Sequence, residues 1–341
     1  MSLTQDKPQT TLDRARPRGR GRLVALLAGA VALLLVGLLL GTLLGRDGAT
    51  PPEEGQAQDA AGQEDAAVPE DVPEADGSTL SWAPPELEDP ERVEITEDNR
   101  SLELEDDQDY ELVMPDEPME APGGVVVIGG RNVVLIGGEI SVPDTGETEG
   151  GAIRGLFLKD QTGTVHVEGV AFTGEGLKEG INLDQREGAI VQLQNLRLGT
   201  VSGTEEGHHA DVIQVWAGPA ELRVDGLTGS TNYQGFFLLP NQFGEQPEPE
   251  LFDLRRIDLT GEDGTGYLLW RDEADWPVKT SDVWVSPPGG EDDRETFLWP
   301  REEASDGSWE DVQVGTPPGG SFVPEGVAGV GYESPGYGGN G

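Results

Sequence analysis

The segment Val133-Val-Leu-Ile-Gly-Gly-Glu-Ile140 contains the pattern that decides the fold. Two apolar residues stand two apart, a Gly or Asn follows two positions later, and two more apolar residues come after it. Similar copies begin at Val165, Val191, Leu222 and Phe252, and truncated copies begin at Val283 and Val312. The steps between copies are 32, 26, 31, 30, 31 and 29 residues. A period in this range that carries strand-like alternation predicts a solenoid.

A second alternating run accompanies each copy. These runs begin at Val125, Leu156, Ile181, Ile213, Phe236, Tyr267 and Phe297. Alternation with a period of two indicates strands that bury one face, and helical spacing is absent after residue 45. The sequence therefore predicts an all-β parallel β-helix whose coils stack their apolar side chains into one core. A β-propeller is the alternative, but it needs four strands in roughly 40–45 residues.

The bend of each coil has its own sequence signal. Gly or Asn stands at the bend in four of the five fuller copies. A left-handed backbone at that position would cost other residues roughly 1–2 kcal/mol. Arg256 departs from the rule in the fifth copy.

An uncharged run of 23 residues, Leu23 to Gly45, predicts one transmembrane α-helix. At about 1.5 Å per residue it spans the roughly 30 Å hydrocarbon core of a bilayer. The basic segment 1–22 precedes it, so the positive-inside rule predicts a signal-anchor with a cytoplasmic N-terminus and an extracellular C-terminal domain. A cleaved signal peptide is the alternative, although its apolar region is normally shorter. The spacing of Gly37, Gly41 and Gly45 suits a homodimer, but glycine is common in membrane helices.

Composition divides the rest of the chain into three parts. Residues 46–92 are rich in Pro, Glu, Asp and Ala and predict a disordered acidic linker, and the Gly/Pro-rich residues 316–341 predict a disordered tail. The β-helix domain is expected between them, at 93–315.

Residues 46–341 carry 16 Lys/Arg and 63 Asp/Glu, so this surface repels nucleic acid but accepts neutral glycans, cations or basic proteins. Such a surface is also typical of proteins from high-salt habitats.

The first coils resemble those of a known superfamily. The segments 109–115 and 123–140 are similar to the start of a right-handed parallel β-helix of the pectate-lyase-like superfamily, and the resemblance covers Val93 to Gly315. It implies a membrane-anchored bacterial protein that contacts polysaccharide. Lyases of the superfamily use Ca²⁺ and an Arg or Lys base, but their Trp-x-Asp-His signature is missing from this chain. The resemblance therefore leaves lyase activity in doubt.

The segment His209-Ala-Asp211-Val-Ile-Gln214-Val-Trp216 is the main candidate for chemistry. A His-x-Asp-x-x-Gln cluster is typical of carbohydrate-active β-helix proteins. His209 is the candidate general base and Asp211 the residue that orients it. The alternative is structural, because Asp211 could instead accept hydrogen bonds from turn amides.

Outward-facing residues of successive coils predict a groove. One expected row contains Phe157, Asn182, Gln214, Phe237 and Leu268, and the next contains Lys159, Asp184, Trp216, Leu239 and Trp270. Aromatic faces beside amides and charges suit sugars, so Asn182, Asp184, Gln214, Trp216, Lys159 and Trp270 are the candidate substrate-binding residues. Asp184 and Asp211 lie on neighbouring coils and are the candidate ligands if Ca²⁺ binds.

Three functions remain open at this stage. The preferred hypothesis is a cell-surface protein that contacts envelope or environmental polysaccharide through the groove. A polysaccharide lyase or glycoside hydrolase that uses the same groove is the first alternative. A non-catalytic structural or protein-interaction module is the second, because a fold does not determine a function.

Overall fold

A computed structural model describes residues 79–146, 153–204, 208–272, 276–290, 294–301 and 309–337. They form an all-β parallel solenoid of about seven turns, which confirms the predicted parallel β-helix. The predicted membrane segment 23–45 and the linker up to residue 78 lie outside the described residues. Within the described ranges, no helix has the length and apolar character needed to cross a bilayer.

The described chain is a succession of short strands. They are β1 Glu91–Glu94, β2 Ser101–Leu104, β3 Tyr110–Val113, β4 Met119–Glu120, β5 Val125–Gly129, β6 Val133–Ile136, β7 Glu139–Ser141, β8 Arg154–Lys159, β9 Thr164–Glu168, β10 Ala171–Thr173, β11 Glu179–Asp184, β12 Ile190–Val201, β13 Asp211–Ala217, β14 Glu221–Thr231, β15 Gln234–Leu238, β16 Leu251–Gly261, β17 Leu269–Arg271, β18 Val278–Ser286, β19 Leu298–Trp299 and β20 Gln313–Val314. One turn of 3₁₀-helix, Pro288–Gly290, and one turn of α-helix, α1 Arg294–Phe297, precede β19.

The strands form two parallel sheets that enclose the core. Sheet A has twelve strands in the order β1-β3-β6-β9-β12-β14-β16-β18-β20, with β4, β7 and β10 as a branch. Sheet B has eight strands in the order β2-β5-β8-β11-β13-β15-β17-β19. Each full coil therefore contributes one strand to sheet B and either one long bent strand or two short strands to sheet A.

The repeat register is confirmed for the five fuller copies. Val133, Val165, Val191, Leu222 and Phe252 pair in sequence along sheet A and are all buried. These stacked positions form the continuous apolar core that the period predicts.

The truncated copy at Val283 is out of phase with this register. Phe252 pairs with Val278, whereas Val283 pairs with Ile257 in the second half of the bent strand. The apparent period persisted because both halves of a bent strand bury alternate apolar residues. Spacing alone could not tell one half from the other.

A left-handed residue bends sheet A at the same place in successive coils. The φ angles are positive at Gly137, Gly169, Asn195, Gly226, Arg256 and Asp282. Arg256 has a φ of 45° although the sequence singled it out as an exception. Its guanidinium donates two hydrogen bonds to Asp225, from Nε to Oδ1 at 2.6 Å and from NH2 to Oδ2 at 2.8 Å. We attribute the tolerance of this strained backbone to that bidentate ion pair.

Both ends of the described chain pack over the outer face of sheet A. Gln194 accepts hydrogen bonds from the amides of Ser81 and Trp82 at 3.0 and 3.2 Å. In the C-terminal segment, Val323 is fully buried and the Tyr332 hydroxyl donates to Glu168 at 2.7 Å. Composition predicts a disordered linker and a disordered tail. In the structure, side chains of sheet A instead accept hydrogen bonds from backbone amides of both end segments.

Candidate functional site

Near the start of each central strand of sheet B, two successive residues face the core. They determine which of the other residues in the strand lie on the outer face. Val212 and Ile213 are both fully buried in the core. On the preceding strand, a Cβ on Gly180 would lie 2.5 Å from a methyl group of Leu198, so Gly180 faces the core together with Ile181. Residues three apart, such as Asp211 and Gln214, therefore share the outer face although a period of two would separate them.

Two rows of outward residues follow from this geometry. The first runs through Arg154, Glu179, Asp211 and Gln234, with Arg154 paired to Glu179 and Asp211 paired to Gln234. The second runs through Phe157, Asn182, Gln214, Phe237, Trp270 and Trp299.

Three predicted row positions are wrong, because Leu268, Trp270 and Trp216 do not lie in the rows expected for them. Leu268 is fully buried, and Trp270 occupies the place expected for it beside Phe237. The row expected to continue from Lys159 and Asp184 does not reach Trp216, because a β-bulge places Ala217 opposite Asp184. The bulge and the doubled core positions both break the period of two on which the prediction depended.

Glu179 is the centre of a hydrogen-bonded cluster. Its Oε2 accepts from Arg154 Nε at 2.9 Å and from Asn182 Nδ2 at 2.8 Å. The same amide nitrogen also donates to Gln214 Oε1 at 2.8 Å. Asn182 is fully buried, and no described residue forms a hydrogen bond with its Oδ1. The candidate binding residues Asn182 and Gln214 are thus in contact, but the sequence did not identify Glu179, which binds Asn182.

Asp211 lies beside this cluster in an unusual state. The residue is 1% exposed, and neither carboxyl oxygen has a hydrogen-bond partner among the described residues. Burial raises the pKa of Asp211 well above its ordinary value of 3.8, and the charge of Glu179 raises it further. An ionised carboxylate with no partner would be costly here, so the neutral acid is the favoured form.

The predicted pair of His209 and Asp211 is not formed. The imidazole of His209 instead stacks on the ring of Tyr233, with centroids 4.9 Å apart. Because Asp211 accepts no hydrogen bond, it does not orient His209 as a general base.

The predicted Ca²⁺ ligands are also separated. Asp184 pairs with Ala217 at one end of β13, whereas Asp211 begins that strand. The two aspartates are therefore separated by the length of β13, roughly 20 Å. Asp184 already binds Lys159 Nζ at 2.9 Å and Arg186 Nε at 2.7 Å. Burial lowers the pKa of Lys159, but its hydrogen bonds to Asp184 and Asp160 outweigh burial and raise it. Among the described residues, no group of three acidic or histidine side chains is arranged to hold a metal ion.

Aromatic side chains surround the cluster. The guanidinium of Arg154 lies 4.6 Å from the ring centroid of Trp216 and 4.9 Å from that of Phe157. Trp216 also meets Phe243 edge-on at 5.7 Å, and Phe243 is 59% exposed. The Nε1 of Trp216 is buried and has no hydrogen-bond partner in the part of the chain that the structure describes.

A second aromatic group continues the same face towards the C-terminal coils. Trp270 contacts Tyr267 at 4.9 Å, Phe237 at 5.0 Å and Trp299 at 6.2 Å between ring centroids. All four rings are half-buried, so part of each ring remains open to solvent. Trp270 therefore lies on the outer face as predicted, in a larger aromatic surface than the sequence indicated.

Comparison of the chain with models of known protein families, with curated proteins and with solved structures gives no match. The geometry of sheet B is consequently the basis for a functional hypothesis.

Proposed function

We propose that this protein contacts polysaccharide through the outer face of sheet B. One observation carries the proposal. Buried, unpartnered polar atoms of Asn182, Asp211 and Trp216 occur together on this face, next to rings that are partly open to solvent. Sugars need both features, because their hydroxyls form hydrogen bonds while their apolar ring faces stack on aromatic side chains.

The charge of the chain favours an uncharged glycan. The net charge is −43, and Arg154, Lys159 and Arg186 are already paired with acidic side chains. A polyanion would find few unpaired cations on this face and would be repelled by the surrounding surface.

The location proposed for this activity is the outer surface of a cell membrane. The apolar segment 23–45 acts as the anchor, the N-terminus stays in the cytoplasm, and the acidic linker displays the solenoid. The spacing of Gly37, Gly41 and Gly45 supports a homodimer within the membrane. We further propose that the chain is a bacterial member of the pectate-lyase-like superfamily with a right-handed coil.

A binding experiment tests the function. The full-length chain is applied to immobilised neutral and acidic polysaccharides, and the Trp216→Ala variant is compared with the Trp82→Ala variant. Trp82 is also half-buried but lies on sheet A, where Arg255 packs over its ring at 4.7 Å. Loss of binding only in the Trp216 variant is expected, because that residue supplies a ring and an indole donor. Equal loss in both variants, or no binding by the unmodified chain, contradicts the proposal and favours a structural or protein-interaction module.

Glycoside hydrolysis is the second candidate, because the two carboxyl groups at this site differ in environment. Burial raises the pKa of Asp211, whereas Glu179 accepts a hydrogen bond from Arg154 at 2.9 Å. Such a difference is typical of a pair in which one carboxyl group donates a proton and the other acts as base or nucleophile. Release of reducing ends that is abolished by Glu179→Gln would support hydrolysis. Binding without release would leave the glycan-contact proposal alone.

A further inference from the structure

The unpartnered atoms define which ligand groups fit the site. The Nε1 of Trp216 can only donate a hydrogen bond, and the Oδ1 of Asn182 can only accept one. The orientation of the Asn182 amide is fixed, because its nitrogen donates to the carboxylate of Glu179. A neutral Asp211 adds one O–H donor and an acceptor. A sugar hydroxyl both donates and accepts, so neighbouring hydroxyls can satisfy all three side chains.

The contacts of Arg154 decide which carboxyl group carries the negative charge. Arg154 Nε binds Glu179 at 2.9 Å, and the side chains of both residues are mostly buried. Asp211 receives no hydrogen bond from Arg154 or from any other described residue. Burial and the neighbouring charge of Glu179 raise the pKa of Asp211, and both effects favour its protonated form.

The surroundings of Asp211 contain few other groups that titrate. On β11 the charged neighbour is Glu179, and beyond it Arg154 begins β8. On β15 the residue opposite Asp211 is the uncharged Gln234, and in the preceding loop His209 is stacked on Tyr233. On the core side, β13 faces β12 and β14 through Val212. Its neighbours there are apolar: they are Leu198, Leu227 and the backbone of Gly229.

We propose that this site binds an uncharged, hydroxyl-bearing glycan only while Asp211 carries a proton, so that Asp211 is an acid-dependent hydrogen-bond donor to the ligand. The inference rests on the glycan contact proposed above and adds the regulation of that contact by pH. Ionisation of Asp211 removes the donor and places a second negative charge beside Glu179. Sugar oxygens would then face two carboxylates, and binding is lost.

The test compares the full-length chain with its Asp211→Asn variant from about pH 5 to about pH 8. Cellohexaose, mannohexaose and chitohexaose are the uncharged probes, trigalacturonate is the anionic probe, and calorimetry measures affinity. Asparagine keeps a donor and an acceptor but cannot ionise. Asp263→Asn, in an exposed turn, is the matched control.

The expected result is that the unmodified chain and the Asp263 variant lose affinity by about tenfold for each pH unit above the titration of Asp211. The Asp211 variant should keep its affinity over the same range. Affinity that does not depend on pH in the unmodified chain, or equal pH profiles in all three proteins, overturns the inference but leaves glycan contact intact. Preference for trigalacturonate overturns the ligand class. No binding of any probe at any pH overturns glycan contact as well.

A second variant gives a readout that does not depend on Asp211→Asn folding correctly. Trp216→Phe keeps an aromatic ring but removes the indole N–H. Loss of one hydrogen bond of about 1.4 kcal/mol corresponds to about tenfold weaker binding of the uncharged probe at acidic pH, with the pH profile retained. Unchanged affinity would show that the indole donor does not contact the ligand and would overturn the assigned site.

Discussion

Substitution of Asp211 by Asn should make the chain more stable, by an amount that grows with pH. The folded chain raises the pKa of Asp211 above 3.8, by burial first and by the charge of Glu179 second. Below pH 3.8 the carboxyl group is protonated in the folded and the unfolded chain, so its contribution does not change with pH. Above that value the unfolded chain releases the proton while the folded chain retains it.

The size of the effect follows from this difference in bound protons. Each pH unit between 3.8 and the pH at which Asp211 titrates in the folded chain lowers the free energy of unfolding by about 1.4 kcal/mol. Above the pH at which Asp211 titrates in the folded chain, the loss of unfolding free energy is complete and no longer changes with pH. Asparagine has a similar shape and carries no titrating proton, so the variant escapes this loss. The stability difference between variant and parent should therefore rise steadily from about pH 4 and then level off.

Urea unfolding of the full-length chain, followed by circular dichroism at several pH values, measures this difference. Solenoids can unfold in more than one step, so the midpoint of the transition that melts the central coils is the quantity to compare. Asp263→Asn is the control, because water hydrates that exposed carboxylate in both states. A stability difference that stays constant between acidic and neutral pH would refute the neutral, unpartnered state of Asp211.

Three further substitutions test the parts of the solenoid that support the site. Asp225→Ala should lower the free energy of unfolding by about 3 kcal/mol, because it leaves the mostly buried guanidinium of Arg256 without its bidentate partner at a strained bend. Gly180→Ala should cost about 1–3 kcal/mol, because the new methyl group would meet a backbone oxygen at 2.3 Å, whereas Gly199→Ala, whose nearest contact would be 3.4 Å, should cost little. Tyr332→Phe removes a 2.7 Å hydrogen bond to a buried carboxylate and should increase proteolysis after Gly315 by about tenfold if the end segment opens locally. Urea midpoints check the first two, and an unchanged cleavage rate would contradict the third.

The sequence predicts the coil well because two independent physical signals coincide. Alternating apolar residues fix which side chains stack, and the left-handed position fixes where the chain bends. Where one signal is weak, the prediction fails. Val283 was placed one half-strand out of register, because Asp282 holds the left-handed bend without the glycine or asparagine that marks it in four of the five fuller copies.

The candidate site was only partly predictable. Asn182 and Gln214 lie on the outer face because they alternate with core residues, as expected. Arg154 and Glu179 were missed because a glycine that faces the core follows each of them and shifts the alternation. The recurring glycine before a large apolar residue is the signal that could have revealed them. Phe243 lies in a loop, and no periodic pattern predicts its contact with Trp216.

The two outer faces of the solenoid differ in what satisfies their buried polar groups. On sheet A, the chain itself supplies the partners: Trp82 pairs with Gln194, Tyr332 and Ser334 bind Glu168, and the amide of Phe322 binds Asp258. On sheet B, atoms of three neighbouring side chains remain unpaired within the described residues. Each such atom costs about 1–3 kcal/mol, and the fold could have avoided that cost with apolar residues. This contrast supports the proposal that the polar atoms of sheet B bind a partner outside the chain.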